Sequence, residues 1–166
     1  MKPIWAPWRM DYILDEKRHC SSDECAFCVG DAVDFDADRL VLWRGQHSFV
    51  IMNRFPYNNG HLLVAPYRHV ADLCDLLDEE NRELSEMICL CRDVLQEAME
   101  PQGMNIGLNL GTAAGAGIAD HLHWHLVPRW LGDTNFMPVL GETRVIPQHL
   151  AKTYEMLSEI FVRRLK

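Results

Sequence analysis

The chain has 166 residues, 48% of them hydrophobic and 24% charged, with a formal net charge of −8, a balance that suits one folded domain with its own core and excludes a disordered polymer. A sequence pI of about 5.4 argues against polymeric nucleic acid as a partner, because no basic field would gather a phosphate backbone, and leaves room only for a locally cationic pocket. No run of about 18 apolar residues is present to span a bilayer, and MKPIWAPWRM lacks a signal-peptide core, so no membrane partner and a cytoplasmic location are expected.

Residues 1–35 read as an irregular N-terminal extension: an aromatic-rich lead, IWAPWRMDYIL, then a cysteine cluster, then the acidic stretch DAVDFDAD. A core over 36–130 and a closing segment over 131–166 complete the same domain. Within the core, 39–45 (RLVLWRG) and 47–53 (HSFVIMN) have strand composition and are close enough for a hairpin. RFPYNNG breaks the pattern with Pro56 and Asn59-Gly60, and 61–67 (HLLVAPY) resumes it as a buried strand. Residues 78–99 predict the clearest helix. Asp78 suits its cap, Glu79 and Glu80 its first turn, and Leu84, Met87, Ile88, Cys91, Val94, Leu95 and Ala98 form one apolar stripe that Pro101 and Gly103 end. Strand alternation returns at 104–111 (MNIGLNLG), TAAGAG reads as a loop, and a strand through HLHWHLVPR (121–129) follows. From Pro147 onward, Leu150, Tyr154, Leu157 and Phe161 mark a closing helix. Short connections suit an antiparallel meander with helices packed against it, an α+β class.

The histidines of HLHWHLVPR carry the chemistry. In a strand His121, His123 and His125 share one face while Leu122, Trp124 and Leu126 share the other, so imidazoles can line a site while the apolar face joins a core. Six cysteines, at 20, 25, 28, 74, 89 and 91, do not resemble a secreted disulfide framework. Cys25-Ala26-Phe27-Cys28 has the spacing of two thiolates on one tetrahedral zinc, with reduced thiols and a redox motif as the other readings. Two further ligands would have to come from a distance, His69 and one triad histidine being the candidates. A closed four-ligand site would be structural and would leave the other histidines for chemistry.

With His121-Leu122-His123-Trp124-His125-Leu126-Val127 followed by Pro128-Arg129, the chain resembles the histidine triad (HIT) family, whose signature alternates three histidines with hydrophobic residues. The likeness extends over about 25–130 through NGHLLVAP (59–66), PQG (101–103) and NLG before a small-residue loop (109–117). WAPWRMDYI, NLGTAAG and HLVPRWLGDTNFMPV are similar to the branch of bacterial diadenosine tetraphosphate phosphorylase-like proteins. Trp5, Trp8 and Arg9 read as core or dimer packing ahead of substrate contact.

The resemblance implies a HIT-like fold with an antiparallel sheet of about five strands and two helices, a homodimer, and a small-molecule nucleotide substrate. It implies a structural zinc on Cys25, Cys28, His69 and His121, with no catalytic metal required. It also implies that His123 attacks the α-phosphorus of a dinucleoside polyphosphate to form a nucleotidyl-histidine, with His125 at the phosphates, and that phosphorolysis leads hydrolysis. Asn53 would hold the ribose, and Asn109 with the loop Gly115, Ala116 and Gly117 would hold phosphate through backbone N–H groups. Most members have Gly-Gln-Ser/Thr in this loop, so Gly115-Ala116-Gly117 lacks their side-chain donor, an interaction that contributes about 2.7–4 kcal/mol when aimed at developing charge. A nucleoside phosphoramidase and a non-catalytic zinc-stabilised nucleotide-binding regulator are the alternative expectations.

Overall fold

Among the described residues five short segments form the strands β1 (Val41–Arg44), β2 (Ser48–Met52), β3 (Leu62–Pro66), β4 (Gly103–Leu108) and β5 (Trp124–Arg129), with β-branched and aromatic residues concentrated in β1, β2 and β5. Among the described residues three α-helices accompany them: the single turn α1 (Asp36–Arg39), the long α2 (Asp78–Met99) and the closing α3 (Leu150–Arg164). The computed structural model describes residues 25–30, 33–133 and 148–165. Trp5, Trp8, Arg9 and Pro147, singled out above, lie outside the described residues.

All neighbouring strands are antiparallel, in the order β1-β2-β3-β5-β4, so the sheet is not the meander expected. The 22-residue α2 carries the chain across one face of the sheet before β4 begins, and β5 then takes the place beside β3. The histidine strand is also shorter than expected. Its ladder begins at Trp124, because the preceding segment bonds elsewhere: the Leu122 N–H donates to the Val70 carbonyl at 2.7 Å. Helix α2 starts with Leu77 at the cap position instead of Asp78, and the Glu80 carboxylate reaches back to accept from the Leu77 N–H at 2.8 Å. At its other end Glu100 adopts the left-handed conformation (φ 48°) and closes the turn before Pro101. Helix α3 begins at Leu150, with His149 as its cap.

The pairing register divides the sheet into two faces. Directly opposed residues point the same way, so Met52, Leu62 and Leu126 share one face with Val50, Val64 and Trp124. There they meet Leu84, Met87, Cys91, Val94 and Leu95 of α2 and Leu157, Ile160 and Phe161 of α3 in the main core. Each fully buried leucine contributes about 1.5–3 kcal/mol. The opposite face presents the row Val41, Ile51, Leu63, His125 and Gly107 across all five strands. Cys25, Phe27 and Val29 cover part of this face and form a second cluster with Phe49, Ile51, Leu63 and Ala65. Among the described residues no helix is long and apolar enough to cross a membrane.

Candidate functional site

The uncovered part of the second face is a cavity of about 750 Å³, floored by Ile51 and Leu63 and walled by the segment from Cys25 to Val29. This volume is in the range that holds a nucleotide-sized molecule. His123 and His125 line it, as do Asn53 at the end of β2 and Gly117 in the small-residue loop. His121 stands apart, fully buried and not among the residues that line the cavity.

Hydrogen bonds settle which nitrogen of each imidazole carries the proton. His123 Nδ1 lies 2.8 Å from the His121 carbonyl, which can only accept, so Nδ1 is the protonated nitrogen and Nε2 keeps its lone pair. Phe27 packs against this ring at a centroid distance of 4.5 Å. His61 Nδ1 accepts from the Tyr57 N–H at 3.1 Å, so its Nε2 bears the proton and donates to His125 Nδ1 at 2.9 Å. A neutral His125 therefore carries its own proton on Nε2, which is buried and has no hydrogen-bond partner among the described residues. Burial disfavours the imidazolium at each position: His123 is shifted below the usual histidine range, and His125, with the neighbouring His123 adding to the effect, is pushed down to about 4. The site thus pairs an imidazole offering a lone pair with one offering an N–H.

His61 was not singled out as a site residue, yet it is 1% exposed and organises His125, Tyr57 and Asn53. A signal was present. Counting by twos along β3 puts His61 on the face of Leu63, which pairs with His125.

The small-residue loop meets the cavity at one point. The Gly115 N–H bonds to the Thr112 carbonyl at 3.0 Å and the Ala116 N–H to that of Gly111 at 3.4 Å, while Gly117 reaches the cavity wall. Asn109 follows β4 and is not among the residues lining the cavity.

Cys25, Cys28, His69 and His121 bring one donor atom each to a common centre, all within 4.8 Å of one another. His121 Nδ1 is 3.5 Å from Cys25 Sγ and 3.8 Å from Cys28 Sγ, and His69 Nδ1 is 3.4 Å from Cys28 Sγ. A tetrahedral zinc with ordinary Zn–S and Zn–N lengths separates its sulfur and nitrogen donors by about 3.5 Å, so these four residues could hold a metal. The His121 Nε2–H donates to the Pro66 carbonyl at 2.8 Å, which turns the Nδ1 lone pair toward the thiols. Beside His69, Arg68 is anchored to Glu80 at 2.6 Å, which holds the end of β3 to α2.

Residues 35–130 match the model of the HIT domain. The chain belongs to the histidine triad family. Over 99% of its length it is 38% identical to a protein of Mycobacterium tuberculosis named AP-4-A phosphorylase, of which it covers 86%. A Zn-bound histidine triad family protein from Mycobacterium smegmatis superposes with a TM-score of 0.65 at 24% identity, over 88% of this chain and all of that one. A diadenosine triphosphate hydrolase from Plasmodium falciparum gives a TM-score of 0.63 at 17% identity, over 76% of this chain and 79% of that one. The triad histidines of the family signature are thus His121, His123 and His125, and the geometry divides them between two places, one at the thiols and two in the cavity.

Proposed function

We propose that the chain is a nucleotidyl-transferring enzyme that cleaves dinucleoside polyphosphates of the diadenosine tetraphosphate kind, in the cytoplasm, with phosphorolysis ahead of hydrolysis. The observation that carries the reading is the unprotonated Nε2 of His123, held by the Nδ1–H bond to the His121 carbonyl at the edge of a nucleotide-sized cavity. His123 Nε2 attacks the α-phosphorus: a P–N bond forms, the bridging P–O bond breaks, and the electron pair leaves on the oxygen of the departing polyphosphate. The His125 Nε2–H faces the charge that develops on the phosphoryl oxygens. Inorganic phosphate or water then forms a new P–O bond as the P–N bond breaks, which returns the pair to His123. Asn53 holds the ribose, and Gly117, with Asn109, Gly115 and Ala116 shaping the loop behind it, supports the phosphates.

The donor set of Cys25, Cys28, His69 and His121 suits a structural zinc, and the chemistry above needs no metal in the cavity. A homodimer is part of the same reading: β4 lies at the sheet edge, and Ile106 on it is 44% exposed. Light scattering of the purified chain checks the assembly.

The deciding experiment mixes the protein with diadenosine tetraphosphate, with and without inorganic phosphate. ADP and ATP in equal amounts with phosphate, and an acid-labile adenylyl group on His123 without it, are expected. Absence of products and of the adduct overturns the reading, and turnover of an AMP-amine alone replaces it with phosphoramidate cleavage.

Two further outcomes follow from the imidazole network. His61→Phe removes the donor to His125 Nδ1 and frees that ring to take the wrong tautomer, so kcat is expected to fall about 10²-fold with little change in KM. Because burial holds the His125 pKa at about 4 in the folded chain, the acid limb of kcat is expected nearer pH 4 than the ordinary histidine value. The unfolded chain binds this proton near pH 6.5 and the folded chain resists it down to about pH 4, so stability falls as pH drops through that window. Thermal melts at pH 7 and pH 5 check the sign.

A further inference from the structure

We propose that Arg39 and Arg54 read the base of the transferred nucleotide and select a 6-oxopurine over adenine, an inference that rests on the nucleotidyl-transfer reading above. Both residues line the cavity. Arg44, Arg68, Arg129, Arg163 and Arg164 reach carboxylates across the fold, whereas Arg39 and Arg54 have no carboxylate partner among the described residues. Arg39 Nη1 donates to the Val29 carbonyl, and Arg54 Nη2 donates to the Asp38 carbonyl at 2.8 Å. Each guanidinium has five N–H groups, so these single backbone bonds aim the side chains while leaving most donors for a ligand.

Their place in the sheet sets what they can meet. The row Val41, Ile51, Leu63, His125 runs from β1 to β5, and its members Ile51, Leu63 and His125 line the cavity. Neighbouring strands are about 4.8 Å apart, so β2 lies about 10 Å and β1 about 14 Å from β5. Arg54 follows Asn53 just beyond the end of β2, and Arg39 stands two residues before β1. With the α-phosphorus at His123 and the ribose at Asn53, the two arginines stand at the end of the cavity away from the triad, where the base must lie. The apolar Ile51 and Leu63 between them suit its flat face.

Arginine offers only donors. The O6 and N7 of guanine or hypoxanthine are adjacent acceptors that match a guanidinium in two hydrogen bonds, whereas adenine sets an amino donor beside N7. The matched contact favours the 6-oxopurine, and adenine leaves one N–H facing another.

Calorimetric titration of the full chain with GMP, IMP and AMP tests this. GMP and IMP are expected to bind about tenfold more tightly than AMP, the low end of what a two-bond arginine contact discriminates, and the ratio should fall to about one in Arg39→Met/Arg54→Met. Both side chains are exposed, and a melting temperature for each single variant and the double variant separates lost selectivity from lost folding. AMP binding as tightly as GMP in the parent chain overturns the proposal, as does tight GMP with weak IMP, or selectivity that survives the double substitution. If none of the three nucleotides binds, the nucleotidyl-transfer reading fails with it; if diadenosine and diguanosine tetraphosphates form the histidine adduct equally well, base selection alone fails.

Discussion

His123→Asn is expected to lower kcat for diadenosine tetraphosphate by about 10⁴-fold or more, the scale seen when an enzyme loses its nucleophile. The side chain is buried with Phe27 against its ring, so asparagine keeps polarity and much of the volume while removing the nitrogen proposed to form the P–N bond. AMP binding should change far less, because the residues proposed to hold the ribose and base lie elsewhere in the cavity. Single-turnover kinetics and mass spectrometry of acid-quenched protein check both parts: the variant should show no adenylyl adduct at any time. A variant that retains the parent rate would move the nucleophile to another group.

The second large effect concerns the four metal donors. Cys28→Ser is expected to reduce bound zinc from one per chain to near zero, because Cys28 Sγ lies within 3.8 Å of both histidine donors. A ligand present at a thousand times its dissociation constant stabilises the folded state by about 4 kcal/mol. At about 2–4 °C per kcal/mol for a domain of this size, loss of zinc lowers Tm by about 8–16 °C. Elemental analysis and thermal melts with and without a chelator measure the two quantities. A parent chain whose Tm does not respond to chelator would return Cys25 and Cys28 to the status of ordinary reduced thiols. Because His121 brings one of the four donor atoms and also gives its carbonyl to His123, the same loss should slow adenylyl transfer while leaving His123 and His125 themselves unchanged.

Much of this was legible in the chain itself. Helix α2 spans residues 78–99 as its apolar stripe predicts, since a 3.6-residue period sustained over 22 residues leaves few alternatives. The parity of the triad was also readable, for Trp124 and Leu126 do turn into the main core, away from His123 and His125. The order of the strands was not, because it depends on Leu62 meeting Leu126, 64 positions further along the chain, a pairing that no local pattern encodes. Equal spacing along HLHWHLVPR likewise gave no sign that its first three residues would leave the ladder to bond Val70 and Pro66.

Alternation, capping carboxylates and the paired thiols are properties of neighbours along the chain, and for them covalent geometry and side-chain type are enough. Sequence by itself therefore determined that His123 and His125 share a face, and it determined the five strands and the two longer helices. Tertiary structure alone decided that His61 donates to His125, that Arg39 and Arg54 line the same cavity as His123, and that His69 reaches Cys28. Those contacts join the segment at 25–30, the turn after β2 and the start of β5. Their meeting depends on where each strand enters the sheet, which is set by burial of the whole core rather than by any one stretch of residues.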